Sequence, residues 1–409
     1  MLKYPMFFSI QRIFFFIALT LWPLNGKSHN LEPEIKKSQL EIPAGIEKNL
    51  KVRVSLTQPS SSVAVSTATP FHVFDGEGHL LFKGPKIKNS LVSAGADGIL
   101  LGRKNFGRLP ITIDAGNSVL QINKRTYRYH LQFSKTAGGK LLIVNEIGLE
   151  DYLRGVVPWE ANPKWTQESL KAQAVVSRTY ALFKIIENHD ESFSVSNDVI
   201  SQVYGGAGLE KESTNRAIEA TRGEVLVYQG KIFPAFFHST CGGQTTRAEN
   251  VWPIQPHAVL RGVKCGFCAE SPHYRWKAEF SELEIQNALK KLGYSVSGIQ
   301  KIILGNQDES GRARFFMVEY PTGKLKIQAG DLRMALSPKK FKSVLIQRIS
   351  RSGGMFVFTG HGWGHGVGLC QYGAKQLGEL GYTYKQILDF YYPGAEIIRI
   401  APVEAGVKK

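Results

Sequence analysis

Acidic residues are in short supply: 34 Asp and Glu stand against 51 Lys and Arg, a formal net charge of +17 at pH 7 over 409 residues. A surplus of that size suits polyanionic surroundings such as nucleic acid, anionic lipid or an anionic cell wall, and charge alone does not choose among them. Cysteine is scarce as well, with four residues in the chain. That excludes a small disulfide-stapled scaffold, and a chain of this length can bury a core without staples. The even count still permits disulfides. Beyond the first 28 residues no apolar run approaches the length of a membrane span, which excludes a multi-span helical membrane protein. Internal repeats and low-complexity tracts are missing too, so solenoid and disordered classes drop out. What remains, with 41 Gly and 21% charged residues, is an ordinary globular composition.

The apolar run at 13–24 follows Lys3 and Arg12 and precedes Gly26-Lys27-Ser28, a small-x-small pattern. It reads as a signal peptide over 1–28. Met6, Phe7 and Phe8 lengthen the apolar stretch, so an uncleaved signal anchor is the alternative. Either way the remainder is expected to be exported, to the periplasm or cell envelope. An exported chain leaves an envelope polymer as the expected polyanion, with no nucleic-acid partner and no membrane contact beyond a signal anchor.

Residues 29–49 read as a polar linker. From residue 50 the pattern turns to short strands: Val52-Arg-Val-Ser-Leu56 alternates, and Phe71-His-Val-Phe74 enters a turn at Asp75-Gly76 before Leu80-Leu-Phe82. Ile111-Thr-Ile, Leu120-Gln-Ile and the stretch 127–133 continue the series. At Glu150 the pattern changes. Thr166 is the expected N-cap of a helix whose Leu170, Ala174, Ala181 and Ile185 form an apolar stripe. Strands are expected near 224–228 and 232–237, a helix near 281–292, and a last helix near 371–380. The expected fold class is α+β: a β-rich N-terminal scaffold (50–148) packed with a mixed α/β core. That core covers 149–276, carries a mixed insertion at 277–345, and is completed by 346–402.

Three groups of residues could carry chemistry. Glu160 is placed in an irregular stretch between Pro158 and Pro163, where indole and proline surface would desolvate its carboxyl and raise its pKa. His238-Ser-Thr-Cys241 and Cys265-Gly-Phe-Cys268 form H-x2-C and C-x2-C pairs. Such pairs across a loop grip structural zinc in a closed Cys3His shell. A disulfide is the alternative, and His257 and His273 are nearby substitute ligands. Finally, glycine occupies alternate positions through 360–368, which rules out a helix there and lets a backbone approach a ligand closely. His361, Trp363 and His365 project from that run, and an indole face can bind a sugar ring.

These pieces together resemble the SpoIID/LytB family of lytic transglycosylases and amidase enhancers. The matching text is Leu149-Glu-Asp-Tyr-Leu-Arg-Gly-Val-Val-Pro-Trp-Glu160, Leu170-Lys-Ala-Gln-Ala-Val-Val-Ser-Arg-Thr-Tyr180, Ser201-Gln-Val-Tyr204, His238-Ser-Thr-Cys-Gly-Gly-Gln-Thr245 and Gly364-His-Gly-Val-Gly-Leu-Cys-Gln-Tyr-Gly-Ala374. The resemblance puts Glu160 on the family's catalytic glutamate. The residues themselves make the glycine-rich run, with His361, Trp363 and His365, the expected substrate-binding loop beside Glu160. His365 is expected to line one groove with Gln202 or Tyr204, the other polar-aromatic motif. Arg178, Gln371 and Tyr372 are further expected substrate-binding residues. The resemblance implies one structural zinc per chain near His238, Cys241, Cys265 and Cys268, and no cofactor for catalysis. Cys370 falls where serine is common, which suggests a small buried residue and not a ligand. The implied reaction cleaves peptidoglycan glycan strands to 1,6-anhydro ends on one carboxyl, because the sugar's own C6 hydroxyl is the nucleophile. A hydrolase would need two carboxyls. The family also implies strands already stripped of peptide by a partner amidase. A wall-binding amidase enhancer without chemistry is the alternative function.

Overall fold

A computed structural model describes residues 50–56, 59–107, 110–196 and 202–400. The signal peptide and linker, and Ser201, lie outside the described residues. The fold is α+β, with seven α-helices and several separate sheets among the described residues.

The N-terminal portion is a sheet of eleven strands. Its middle is the antiparallel series Lys51–Ser55, Leu141–Gly148, Arg125–Lys135 and Ile111–Ile122. The two short strands expected at 111–113 and 120–122 are one strand of 12 residues with a register break after Asp114. That break lets the strand pair with Phe71–Asp75 along one part and Ser62–Thr67 along another. The hairpin after Phe71 forms as its sequence predicts, and the Asp75 carboxylate takes the amides of Glu77 and His79 to close the turn. Alternating Val, Ile and Phe place one face of this sheet in a continuous core.

Strand Leu141–Gly148 runs straight into α1 (Leu149–Glu160), which the sequence had not suggested because Pro158 lies inside it. Glu150 and Asp151 in the first turn favour the helix N-terminus. The helix ends only two residues beyond the proline. So Glu160 is the last residue of a helix, not part of an irregular loop.

The next helix, α2 (Gln167–Glu187), starts as predicted, with the Thr166 hydroxyl accepting from the Ser169 amide. The expected stripe is buried, but so is nearly every other face. Ala174, Ala181, Leu182 and Ile185 pack into the sheet's core, while Ala172, Val175 and Val176 enter a second core. A helix buried all round is a central pillar. Around it lie α1, α3 (Glu212–Ala220) and the strand Glu224–Tyr228.

From Arg275 the chain builds a region with its own hydrophobic core, running from Trp276 to Phe358. It contains α4 (Glu282–Lys291), whose N-terminus is closed by a reciprocal Ser281–Glu284 capping box, and α5 (Ala329–Leu336). The chain then returns to the central core through α6 (Gln371–Glu379) and α7 (Tyr384–Tyr391), which both pack on α2. Two pairings tie this return down: Leu369–Cys370 lies parallel to Phe237–His238, and Glu396–Arg399 lies antiparallel to Glu224–Tyr228.

Candidate active site and thiol cluster

Glu160 ends α1 beside the start of α6. Its Oε1 accepts the Val203 amide at 3.2 Å, and its carboxyl also bonds the Gln371 side chain. Gln371 in turn donates to the Gln173 oxygen at 3.3 Å, and Gln173 donates to Ser177 at 3.0 Å, both on α2. The acid is thus held by a row of neutral amides anchored on the pillar helix. Glu160 as a residue is half-buried, but protein atoms crowd its carboxyl. That burial raises its pKa to about 7, against the opposing pull of the two amides. Trp159 does not provide this burial: its indole is 51% exposed. It stands free beside the acid.

A run of rings leads away from the acid. Trp165 meets Tyr372 edge-on at 5.3 Å, Tyr372 meets His273 at 6.3 Å, and His273 meets Trp363 at 4.4 Å. Lys342 lies over the Trp363 ring at 4.9 Å and donates to His273 Nδ1 at 2.8 Å. Burial and that ammonium hold the His273 imidazole below its usual range, so it accepts as the neutral form. All five side chains are half-buried. Half-exposed rings with hydrogen-bonding edges suit a polyhydroxylated ring ligand.

The expected binding residues divide. Gln371, Tyr372 and Trp363 join the acid or the aromatic run. Arg178, Gln202 and Tyr204 do not reach a surface, with exposures of 0%, 0% and 1%. Arg178 grips Glu150 through two bonds of 2.8 Å and donates to the Glu224 and Ile218 carbonyls. Gln202 accepts from Tyr152 and donates to the Ser177 carbonyl. Tyr204 lies between Tyr127 and Tyr152 and bonds Asn145. These three hold the core together, so a shared groove with His365 is excluded. His365 packs among Phe236, His238 and Trp252, takes the Val367 amide on Nδ1, and is held neutral by burial. His361 faces Tyr274 and lines a depression of about 500 Å³ with Gly243, Lys264 and Cys265. No residue bound to Glu160 lines that depression.

The glycine-rich run owes its glycines to its own chain. Gly362, Gly364, Gly366 and Gly368 all have positive φ. A Cβ on Gly364 would meet His238 at 2.7 Å, and one on Gly368 would meet the Phe236 carbonyl at 1.9 Å. The loop threads against the 236–241 segment, and close packing of backbone explains the pattern without a ligand.

The sulfur ligands regroup. The Sγ atoms of Cys241, Cys265, Cys268 and Cys370 all lie within 4.8 Å of one another, buried and unbridged. His238, expected among them, is elsewhere: its Nδ1 donates to the Val367 carbonyl at 3.0 Å and its ring faces His365. Cys370, read as a small buried residue, takes its place. Four close thiols can hold one tetrahedral ion. The two remaining histidines stand apart from the cluster, His257 against Phe233 and His273 in the aromatic run.

Comparison with known proteins accords with this arrangement. Residues 137–228, which carry α1, the acid and α2, match the Stage II sporulation protein family. The stage II sporulation protein D of Bacillus amyloliquefaciens is 30% identical over 269 residues, covering 62% of this chain and 75% of that protein. The chain belongs to the SpoIID/LytB family. An uncharacterized protein of Brachyspira hyodysenteriae is similar at 37% identity over 263 residues, covering 63% of this chain and 68% of that protein. An amidase enhancer of Bacillus subtilis is 28% identical over 294 residues, covering 60% of this chain and 40% of its own length. Residues 251–368 match a domain of unknown function, and they contain the separate core and the glycine-rich loop. His273 and Lys342 come from that region and Gln173 from the family's central helix. No spacing in the sequence singled them out as partners of the site.

Proposed function

We propose that the chain is an exported lytic transglycosylase that cleaves peptidoglycan glycan strands, with Glu160 as its acid and base. The observation that carries this reading is a single crowded carboxyl whose partners are neutral amides, Val203 and Gln371, with no carboxylate paired to it among the described residues. A hydrolytic glycosidase sets two carboxyls across the bond. One suffices when the sugar supplies the nucleophile. Protonated Glu160 gives its proton to the bridging oxygen, and the bond from that oxygen to C1 breaks. The C6 hydroxyl of the same N-acetylmuramic acid bonds C1 and returns its proton to the Glu160 carboxylate. The products are a 1,6-anhydro end and a free 4-hydroxyl, and no water is consumed. A pKa of about 7 leaves both forms accessible near neutrality. Trp159 and the run Trp165, Tyr372, His273 and Trp363 offer faces for the strand, and the excess of positive charge favours an anionic wall.

Likeness to the Bacillus subtilis amidase enhancer supports a second reading, in which the chain binds wall and assists an amidase without cutting glycan. Purified strands, with and without stem peptides, separate the two when products are resolved by mass. The transglycosylase reading expects anhydro-ended fragments, with peptide-stripped strands from a partner amidase as the better substrate. Glu160→Gln should lower their release by about 10²–10⁴-fold. Wild-type protein that binds strands and releases nothing would leave the enhancer reading.

A further inference from the structure

We propose that Cys241, Cys265, Cys268 and Cys370 bind one zinc ion as four thiolates, in a closed structural centre from which His238 is absent. The first support is spacing. Zinc–sulfur bonds of about 2.3 Å set the sulfurs of a tetrahedron about 3.8 Å apart. Here all four lie within 4.8 Å of one another, and Cys241 and Cys268 are 3.4 Å apart. An iron–sulfur cluster spreads its thiolates around several metal atoms and needs a wider cage. A disulfide needs its sulfurs at about 2.05 Å.

The second support is that every sulfur has a hydrogen-bond donor from the protein. The Cys241 amide donates to Cys370 Sγ at 3.2 Å and the Gly243 amide to Cys241 Sγ at 3.4 Å. The Gly242 amide serves Cys268, and the Tyr391 hydroxyl lies 3.2 Å from Cys265 Sγ. Donors aimed at sulfur are how a protein orients and stabilises metal thiolates.

The third is a counter-charge. Arg312 is 2% exposed, donates to the Cys241 and Gln244 carbonyls and to Ser310, and makes no ion pair with a carboxylate among the described residues. The Asp308 carboxylate lies close by, but its oxygens take the Arg312 main-chain amide, Ser310 and the Thr246 hydroxyl and not the guanidinium. A buried cation without a directly paired anion is unfavourable. Four thiolates around a divalent ion leave two negative charges beside it. Two disulfides would leave none. With four protein ligands the ion has no open position for water, so its role is structural. Cys370 directly precedes Gln371 at the start of α6, so the ion would pin the helix end that holds Glu160's amide partner to the 241–243 and 265–268 loops. This inference stands whether or not Glu160 cuts glycan.

The test is made on the purified full chain. Elemental analysis should find about one zinc per chain, and X-ray absorption at the zinc edge should show four sulfur neighbours near 2.3 Å and no nitrogen. Denaturing alkylation without reductant should modify all four thiols. His238→Ala should keep the metal and the all-sulfur shell, whereas Cys370→Ser should weaken zinc retention by at least about 10-fold. If Cys370→Ser fails to fold, the wild-type spectrum and His238→Ala still decide. A nitrogen neighbour that disappears in His238→Ala, iron in place of zinc, or metal-free protein with no alkylatable thiols would each overturn it.

Discussion

At the scale of single residues, Glu160 is central, and its ionisation makes two separable predictions. The acid must be protonated to act, so glycan cleavage should fall as pH rises through about 7. A profile that instead rises across that point would place the proton elsewhere. Stability has its own sign. Burial raises the folded-state pKa above the unfolded value of 4.5, so the folded form is favoured below that value. The advantage is lost as pH climbs from there to about 7. Glu160→Gln removes the ionisation, so its melting temperature should exceed wild type above pH 7, by an amount worth about 1–3 kcal/mol, and the gap should close near pH 4.5. Calorimetry across that range checks it. Arg178 tests the opposite assignment. Its fully buried fork on Glu150 means Arg178→Met should destabilise the chain by about 3–5 kcal/mol in denaturant titrations. A stable variant that had lost only strand binding would restore Arg178 to the substrate. The Glu160 motif was readable in the sequence. Its amide partner was not, because Gln371 reaches it only when α6 folds back on α2. The count of four cysteines matched a tetrahedron, but the short H-x2-C spacing pointed to His238 and away from distant Cys370.

At the scale of elements, local chemistry was legible where it was self-contained. The Thr166 cap and the Asp75 turn each satisfy their own backbone and form as read, and the helix expected near 281–292 forms behind a Ser281 capping box. Elsewhere the local signal was overridden from outside. Pro158 hid α1, yet the helix persists to Glu160 because Leu149, Tyr152, Leu153 and Val156 are buried under the sheet. The 360–368 run looked built for a ligand, and its glycines answer to neighbouring backbone. Gly368→Ala tests that directly. At Gly381 (φ +87°) an added methyl meets open space, so Gly381→Ala should cost about 1 kcal/mol. At Gly368 the same change drives Cβ into the Phe236 carbonyl and should cost at least about twice that. Equal losses in the two variants would contradict a packed loop.

At the scale of the whole molecule, the described residues form three main cores, and α2 joins two of them. The β-rich scaffold was legible from pattern, and so was a C-terminal helix returning to the core; α7 and the strand Glu396–Arg399, which also close that core, were not. A mixed insertion at 277–345 with one helix was expected, but not that it closes a core of its own, because its strands and two helices alternate at short range with no motif to mark their closure. Within that arrangement the scaffold delivers α1, and with it one carboxyl, to the helix end carrying Gln371. The central claim is that this carboxyl works without water. Digesting glycan strands in water enriched in heavy oxygen tests it most directly. The predicted products are anhydro ends, lighter than a reducing end by one water and free of the heavy isotope, while reducing ends carrying it would contradict the claim.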